Sequence, residues 1–158
     1  MSQFSSDQTW FFNIKADVWT QGPSLVEGRR GLSCAVDGTN VIVAGGYLST
    51  LNSMEIWNHE RGTDGWSKFS VSIGPNDAKL LFSGKNLYLF GGWELYDVDT
   101  ENEDYYFGSN IWKIDDNFEF HKVGNMSDRK YAFTAFTIPR GYLTKCQGMQ
   151  MLKLKEEK

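Results

Sequence analysis

The side chains that most often carry out catalysis or bind metals are few in this 158-residue sequence, and they lie far apart. His59 lies in a turn-like segment and His121 in a later apolar run, and neither has a second ligand at metal-like spacing. Cys34 and Cys146 match neither a zinc motif nor the dense cysteine pattern of small secreted domains. No catalytic serine motif or phosphate-binding loop occurs. The sequence therefore predicts a protein that is not an enzyme and that has no cofactor and no metal site.

Six acidic residues and no basic residue lie between positions 94 and 109. Asp97, Asp99 and Glu101 alternate like the first ligands of a calcium-binding loop. The sixth and twelfth positions of such a loop would be Asn102 and Gly108, where calcium loops need Gly and Glu. A solvated acidic loop is therefore favoured, and weak calcium binding stays open.

Charge and hydropathy restrict the partners of the chain. Sixteen basic and twenty acidic residues give a net charge of −4, so there is no basic field that would attract nucleic acid or anionic lipid. The N-terminus lacks a signal-peptide pattern and no run of about 18 apolar residues occurs, which favours a cytoplasmic protein. Six tryptophans, 15% aromatic residues and sixteen glycines favour sheet over helix.

Two stretches of the sequence resemble each other and predict a repeated unit. The first has the runs GLSCAVDGTNVIVAGGY (31–47) and SMEIWNHERGTDGWSKFSV (53–71), and the second has AKLLFSGKNLYLFGGW (78–93) and SNIWKIDDNFEFHKV (109–123). Each stretch contains four short apolar runs bounded by turn residues, which is the size of one propeller blade. Aligning Trp57 with Trp112 places the insertion after the second glycine pair. An ordinary antiparallel sandwich is the alternative.

The segments VIVAGG (41–46) and LYLFGG (87–92), followed by Trp66 and Phe120 at matching places, resemble kelch repeats. Kelch units are related to the central domain of galactose oxidase. The resemblance implies an all-β fold, a partial kelch-type β-propeller of four-stranded antiparallel blades. In that family a structural residue, often Arg, begins each unit. Arg30 takes this position in the first unit, and Asn76 or Asp77 takes it in the second.

The resemblance divides the chain into units. Residues 1–28 resemble the end of a preceding blade, with Trp19 aligned with Trp66, and residues 29–75 and 76–126 resemble two blades, the second carrying the acidic insert at 94–109. Residues 127–140 resemble the start of a third blade, and 141–158 are expected to be a disordered tail. Since closed propellers need about four blades, the pattern predicts a fragment, a truncated product or one partner of an assembly, with self-association through open blade edges.

In kelch adaptors, partners dock on the loops that follow the glycine pair and on the loops between blades. By resemblance, that face would consist of residues 21–30, 47–52, 72–77, 93–108 and 124–130, and a protein or peptide would bind there. The predicted binding residues are Arg29, Arg30, Tyr47, Trp93, Tyr105, Tyr106, Arg129 and Lys130. For Arg30, a structural role with its guanidinium bonded to loop carbonyls is favoured over a contact with a partner.

Two further expectations concern function and packing. The chain is expected to be a non-catalytic protein-binding module, a fragment or truncated form of an adaptor or scaffold. The alternatives are a fragment of a propeller oxidase or sugar isomerase and a purely structural repeat. Trp57, Trp66 and Trp112 are expected to pack between blades, each with its indole N–H bonded to a carbonyl.

Overall fold

The computed structural model describes residues 5–47, 52–61, 65–72, 76–95, 105–130 and 132–135, without the side chains of 93–95 and 105–107. These residues form strands and turns and contain no helix, so no described segment is a helix that could cross a membrane. The strands are β1 (Trp10–Asn13), β2 (Val18–Gln21), β3 (Ser33–Val36), β4 (Asn40–Ala44), β5 (Ser53–Asn58), β6 (Ser67–Ser70), β7 (Lys79–Ser83), β8 (Asn86–Phe90), β9 (Trp93–Leu95), β10 (Tyr105–Phe107), β11 (Asn110–Ile114) and β12 (Phe120–Asn125).

The strands form two four-stranded sheets and two hairpins, and every pairing is antiparallel. One sheet has the order β3-β4-β5-β6 and the other β7-β8-β11-β12, so both follow the order of the chain. β1 pairs with β2, and β9 pairs with β10 across the acidic insertion. The prediction of an all-β fold with four-stranded antiparallel units is confirmed. A hairpin forms at the base of the acidic insertion, and the prediction of a solvated loop falls on residues 96–104, which lie outside the described ranges.

The turn between β3 and β4 shows why these short runs become paired strands. The Asp37 carboxylate accepts hydrogen bonds from the Thr39 and Asn40 backbone N–H groups at 3.2 and 2.8 Å, and from the Asn40 side chain at 3.0 Å. Gly38 follows with a φ of 100°, which few other residues adopt. The turn fixes the register in which Val36 faces Val41, so that Ile42, Val43 and Ala44 are buried.

The two glycine pairs end β4 and β8 at equivalent bends, as predicted. Gly46 has a φ of 133° and Gly92 a φ of 93°. A Cβ on Gly92 would lie 2.7 Å from the carbonyl oxygen of Asn76 and 2.8 Å from the Ala78 Cβ. The glycine is therefore required both by backbone conformation and by the close approach of the segment that precedes β7.

The register of the third strands corrects one alignment. Trp57 faces Val41 in the first sheet, whereas Trp112 faces Leu89 in the second. Counted from the glycine pairs, Trp112 therefore occupies the place of Glu55, and the place of Trp57 is taken by Ile114. The two tryptophans differ by two residues and stay on the same face of the strand.

The inner strands of the two sheets stand side by side and repeat one backbone feature. Gly31, Asp77 and Ala132 have φ values of 63°, 54° and 48° just before the successive units. The Asp77 N–H donates to the Gly31 carbonyl at 2.8 Å, and the Ala132 N–H donates to the Asp77 carbonyl at 3.1 Å. β3 contacts β7, and the Ser33 hydroxyl accepts a hydrogen bond from the Leu80 N–H. Consecutive units are thus joined at their first strands.

The space between the two sheets is filled by the largest apolar cluster. Its fully or nearly fully buried members come from both sheets and include Met54, Ala78 and Leu89. At its margin the Phe69 and Phe118 rings lie 4.8 Å apart, which joins an outer strand of the first sheet to the last turn of the second. The sheets therefore pack face to face as neighbours rather than as separate domains.

The β1–β2 hairpin corresponds to the two outer strands of a sheet. The N–H groups of Leu25, Val71 and Met126 donate to Asp7, Asn52 and Ser109, at 2.7, 3.0 and 2.6 Å, and these three apolar side chains are all buried. This shared bond makes β1–β2 equivalent to β5–β6 and β11–β12, in agreement with the alignment of Trp19 with Trp66. Among the described strands β1 pairs only with β2, and Trp10 and Trp19 are 51% and 63% exposed.

Candidate binding surface

Backbone hydrogen bonds bring the predicted docking loops to one end of the sheets. The Tyr47 N–H donates to Arg30 O at 3.1 Å, and the Gly92 N–H donates to Lys130 O at 2.9 Å. Lys130 N–H donates in turn to Gly108 O at 3.1 Å, which ties the base of the β9–β10 hairpin to the chain that follows β12. The backbone hydrogen bonds that link Gly31, Asp77 and Ala132 connect the loops of the first unit to the loops of the second. The described ends of these loops therefore form one continuous surface.

Arg29 does not lie on that surface, and its predicted role as a grip for a partner is corrected. Its side chain and that of Glu55 are both 0% exposed, and they form a salt bridge of 2.9 Å. The guanidinium also donates to the carbonyls of Gly45 and Ser53 at 2.7 and 3.1 Å. Arg29 is buried, paired with Glu55 and fully hydrogen-bonded. It therefore anchors the start of the first unit to the bend at Gly45.

The structural role expected for Arg30 thus belongs to its neighbour, and Arg30 lies outside. Its guanidinium carbon is 4.0 Å from the centroid of the Tyr47 ring, which is a cation–π contact. Stacking fixes the plane of the guanidinium while leaving its N–H edges directed away from the ring. The structure therefore brings two of the predicted binding residues together.

A depression of about 330 Å³ lies beside this stacked pair, lined by Arg30, Gly31, Tyr47, Asn76 and Asp77. Asn76 is 8% exposed, and its buried side-chain carbonyl oxygen has no hydrogen-bond partner among the described residues. A Cβ on Gly31 would overlap that oxygen, so glycine is needed for the carbonyl to sit there. This oxygen is itself buried from solvent, so it costs the fold roughly 1–3 kcal/mol, and a ligand can reach the Arg30 guanidinium instead of this oxygen.

The other predicted binding residues occupy the second half of the surface. Arg129 and Lys130 are exposed, and the Lys130 ammonium lies 3.7 Å from the Asp128 carboxylate. Trp93 pairs with Phe107 in the β9–β10 register, Tyr106 with Glu94 and Tyr105 with Leu95. This places the three aromatic positions of the prediction on the hairpin at the rim of the surface, and their side chains lie outside the described part of the structure.

The structure adds residues that the sequence did not single out as a site. The sequence places Asn76 and Asp77 in the predicted docking loop 72–77 and at the position of the structural arginine, but it does not predict them as binding residues, and Gly31 lies outside the predicted loops. The alignment of the two units could have indicated this site, because the polar residues Asn76 and Asp77 take the positions of Arg30 and Gly31 in the second unit. Only the positive φ at Asp77 and its bond to Gly31 bring that pair next to Arg30.

The indole N–H groups follow the expectation in one case of three. Trp66 donates to the Pro23 carbonyl at 2.9 Å, as predicted. The Nε1 atoms of Trp57 and Trp112 are buried and have no partner among the described residues. The Trp57 ring instead packs between Trp66 and Phe11, with centroids at 6.0 and 5.2 Å.

The two carboxyl groups with a shifted pKa, Asp37 and Asp115, lie in turns apart from this surface. The His121 ring hydrogen-bonds the Asp115 carboxylate at 2.8 Å and, with backbone N–H groups of Glu119 and Asn117, lowers the pKa of Asp115. The Asn40 side chain likewise lowers the pKa of Asp37. Among the described residues no group of three potential metal ligands occurs. Cys34 is exposed, and the acidic residues at 97–104 and Cys146 lie outside the described ranges.

These sheets and their loop surface define an all-β protein of antiparallel four-stranded units. No family model matches the chain, and no curated protein matches it. Its fold is similar to a solved structure titled "Structure of YjhT", with a TM-score of 0.66 at 14% identity. The match covers 82% of this chain and 42% of that one, so this chain spans less than half of that protein's length. At this identity the likeness concerns the fold.

Proposed function

We propose that the chain is part of a kelch-type β-propeller and that it binds a protein or peptide partner through an anionic group held at Arg30. The observation that carries the proposal is the guanidinium of Arg30, stacked on the Tyr47 ring at the edge of the depression. The radial arrangement is supported by the contact between the first strands of consecutive sheets and by the repeated left-handed residue before each unit. Propeller blades meet their neighbours in this way along the inner strands.

The chemistry of the depression favours a carboxylate next to a hydrogen-bond donor. A guanidinium whose plane is fixed by an aromatic ring presents paired N–H groups that match the two oxygens of a carboxylate. The Asp77 carboxylate, which also lines the depression, accepts hydrogen bonds and would take a donor from the ligand. A peptide supplies both kinds of group, an acidic side chain or C-terminus and neighbouring backbone N–H groups.

Binding through few residues agrees with the general pattern of protein interfaces. Arginine and tyrosine are enriched among the residues that carry most of the binding energy, and such residues lie near pockets rather than on flat surface. The β9–β10 hairpin borders the other side of the loop surface. Its strands contain Trp93, Tyr105 and Tyr106. We therefore expect Arg30 to contribute most of the affinity and the hairpin to contribute selectivity.

The test is a selection from a random peptide library displayed on phage, panned on the chain of residues 1–158. Enriched peptides are synthesised, and their dissociation constants are measured for the unmodified chain and for Arg30→Ala and Arg30→Lys. We expect the peptides to contain a carboxylate and Arg30→Ala to weaken binding about 10- to 100-fold, the usual range for a charge-assisted contact. Arg30→Lys should recover only part of the loss because the planar fork is missing.

Lys85→Ala is the matched control, since this exposed cation lies in the turn between β7 and β8 at the opposite end of the sheet. It should leave the dissociation constants unchanged. Thermal melting of each variant checks that the fold is retained. Peptides that bind Arg30→Ala as tightly as the unmodified chain, or a selection that enriches none, would contradict the proposal.

A further inference from the structure

Two side chains of opposite charge line the depression beside Tyr47 without pairing to each other. The Arg30 guanidinium is exposed and stacked on the Tyr47 ring, and the half-buried Asp77 belongs to the same lining. No ion pair among the described residues involves Arg30 or Asp77. Both charges are therefore available to a ligand.

The backbone holds Asp77 in place on both sides. Its N–H donates to the Gly31 carbonyl at 2.8 Å, and its carbonyl accepts the Ala132 N–H at 3.1 Å. Its φ of 54° is in the left-handed region, where Gly31 has a φ of 63° at the equivalent position of the first unit. Aspartate tolerates this region better than most residues with a Cβ. The carboxylate is therefore carried by a fixed segment and needs little ordering when a ligand binds.

The Asp77 carboxylate lies against Gly31 at the depression. A Cβ on Gly31 would lie 3.0 Å from Asp77 Oδ1, so the carboxylate occupies the space next to the glycine. Arg30 is the preceding residue and lines the same depression of about 330 Å³. The two charges therefore border one small space, and a ligand bound there meets both.

An acidic group alone is an incomplete match for this arrangement. A carboxylate bound at Arg30 comes close to Asp77, and like charges repel each other. A lysine or arginine side chain of the ligand next to Asp77 removes that repulsion. It also adds the attraction between opposite charges to the hydrogen bond, which a neutral backbone N–H group of a peptide lacks.

The size of the depression limits how far apart the two groups of a ligand lie. Successive residues of an extended peptide advance roughly 3.3 Å, and every second side chain points to the same face. A space of about 330 Å³ therefore accommodates two side chains from neighbouring positions of one segment.

We propose that Asp77 determines the specificity of this site, and that the partner is a peptide segment with an acidic residue and a lysine or arginine one or two positions apart. Arg30 binds the acid and Asp77 binds the base, so each charge of the ligand meets an opposite charge. A segment with two acids, or with an acid alone, binds more weakly. The inference rests on the proposed function and narrows the ligands that it concerns.

The first measurement pans one random peptide library in parallel on the unmodified chain and on Asp77→Asn. Asparagine is the matched replacement, because it keeps the shape of the side chain and adopts left-handed backbone as readily. We expect peptides from the unmodified chain to combine an acid with a base one or two positions away more often than the unselected library does. Asp77→Asn should keep the enrichment of acids and lose that of bases.

The second measurement separates a contact from a general effect on the fold. The dissociation constants of one enriched peptide, and of its variant with the base replaced by glutamine, are measured for both chains. We expect either change alone to weaken binding about 10-fold. The two changes together should weaken it no further, because they remove the same ion pair. The glutamine peptide should bind Asp77→Asn at least as tightly as it binds the unmodified chain.

Asp116→Asn is the control, since this exposed carboxylate lies in the turn between β11 and β12 at the opposite end of the second sheet. It should leave both dissociation constants unchanged. If Asp77→Asn does not fold, Asp77→Gly replaces it, because Gly31 occupies the equivalent position. Replacing the base of the peptide tests the unmodified chain in either case, and an unchanged affinity there overturns the inference.

The outcomes separate this inference from the proposed function. Peptides that depend on Arg30 but show no enriched base, or that bind Asp77→Asn as tightly as the unmodified chain, overturn the role of Asp77 and leave the proposed function standing. Peptides that do not depend on Arg30, or a selection that enriches none, overturn both.

Discussion

Arg29 and Glu55 form a salt bridge with both side chains entirely out of water, at 2.9 Å from Nη2 to Oε1 and 3.0 Å from Nε to the same oxygen. The other carboxylate oxygen accepts the Val26 N–H at 2.6 Å. The pair joins the segment before the first sheet to its third strand. The second unit has Trp112 at the place of Glu55, so this ion pair is built into one unit and not the other.

Removing one member of this pair should be strongly destabilising. Arg29→Met leaves a buried carboxylate without its cation, and we expect a loss of about 3–5 kcal/mol in the free energy of unfolding. Chemical denaturation followed by tryptophan fluorescence measures it. Lys68→Met is the control, because its ion pair with Glu27 is partly exposed and should contribute less than about 1 kcal/mol. Equal losses for the two variants would contradict the structural role of Arg29.

The two neighbouring tryptophans Trp57 and Trp66 should respond differently to replacement by phenylalanine. Both rings are buried, but only Trp66 donates its N–H, to Pro23 O at 2.9 Å. Trp66→Phe removes that bond, whereas Trp57→Phe removes a buried N–H without a described partner. We expect Trp66→Phe to cost about 1 kcal/mol more. Denaturation midpoints of the two variants provide the comparison, and a larger loss for Trp57→Phe would argue against this bond.

Gly92 and Gly84 separate the effect of backbone conformation from that of close packing. Both have positive φ values, 93° and 60°. A Cβ on Gly84 would meet nothing within 4 Å, whereas a Cβ on Gly92 would clash with backbone and with Ala78. We expect Gly84→Ala to cost about 1–2 kcal/mol from conformation alone and Gly92→Ala distinctly more. Thermal melts test the order. Gly46→Val and Gly92→Val should likewise melt lower than Asp99→Lys, which lies outside the described residues.

The Asp115 carboxyl group should titrate at low pH and depend on His121. The pKa of Asp115 is lowered from 3.8, first by the hydrogen bond from His121. A lowered folded-state pKa means stability that is present above the unfolded value and is lost as the pH falls through the folded one. His121→Phe should raise the pKa of Asp115 toward 3.8, though backbone N–H groups still hold it lower. Carboxyl NMR titration measures this, and Asp37, held by Asn40, should not change.

The sequence predicted those features that depend on local pattern. Strand runs, the bends at Gly46 and Gly92 and the alignment of Trp66 with Phe120 follow from alternation and turn residues. The sequence around Arg29 and Arg30 does not show which of the two side chains is buried. The carboxylate that pairs with Arg29 belongs to Glu55 on β5, which is distant in sequence. Residues two positions apart along a strand lie on the same face. The alternation of apolar residues therefore does not show that Trp112 is displaced by two positions from the place of Trp57. The unpartnered carbonyl of Asn76 depends on a contact with Gly31 that only the folded chain creates.

β1 and β2 leave the ribosome before every other described strand. Each four-stranded sheet pairs strands in their order along the chain, so it can form as soon as its own residues have emerged. The hairpin is different, since no described strand pairs with the outer edge of β1. Its exposed aromatic rings, Trp10, Phe12 and Trp19, are then a segment of the nascent chain that a chaperone for extended apolar sequences would hold while the two complete sheets form.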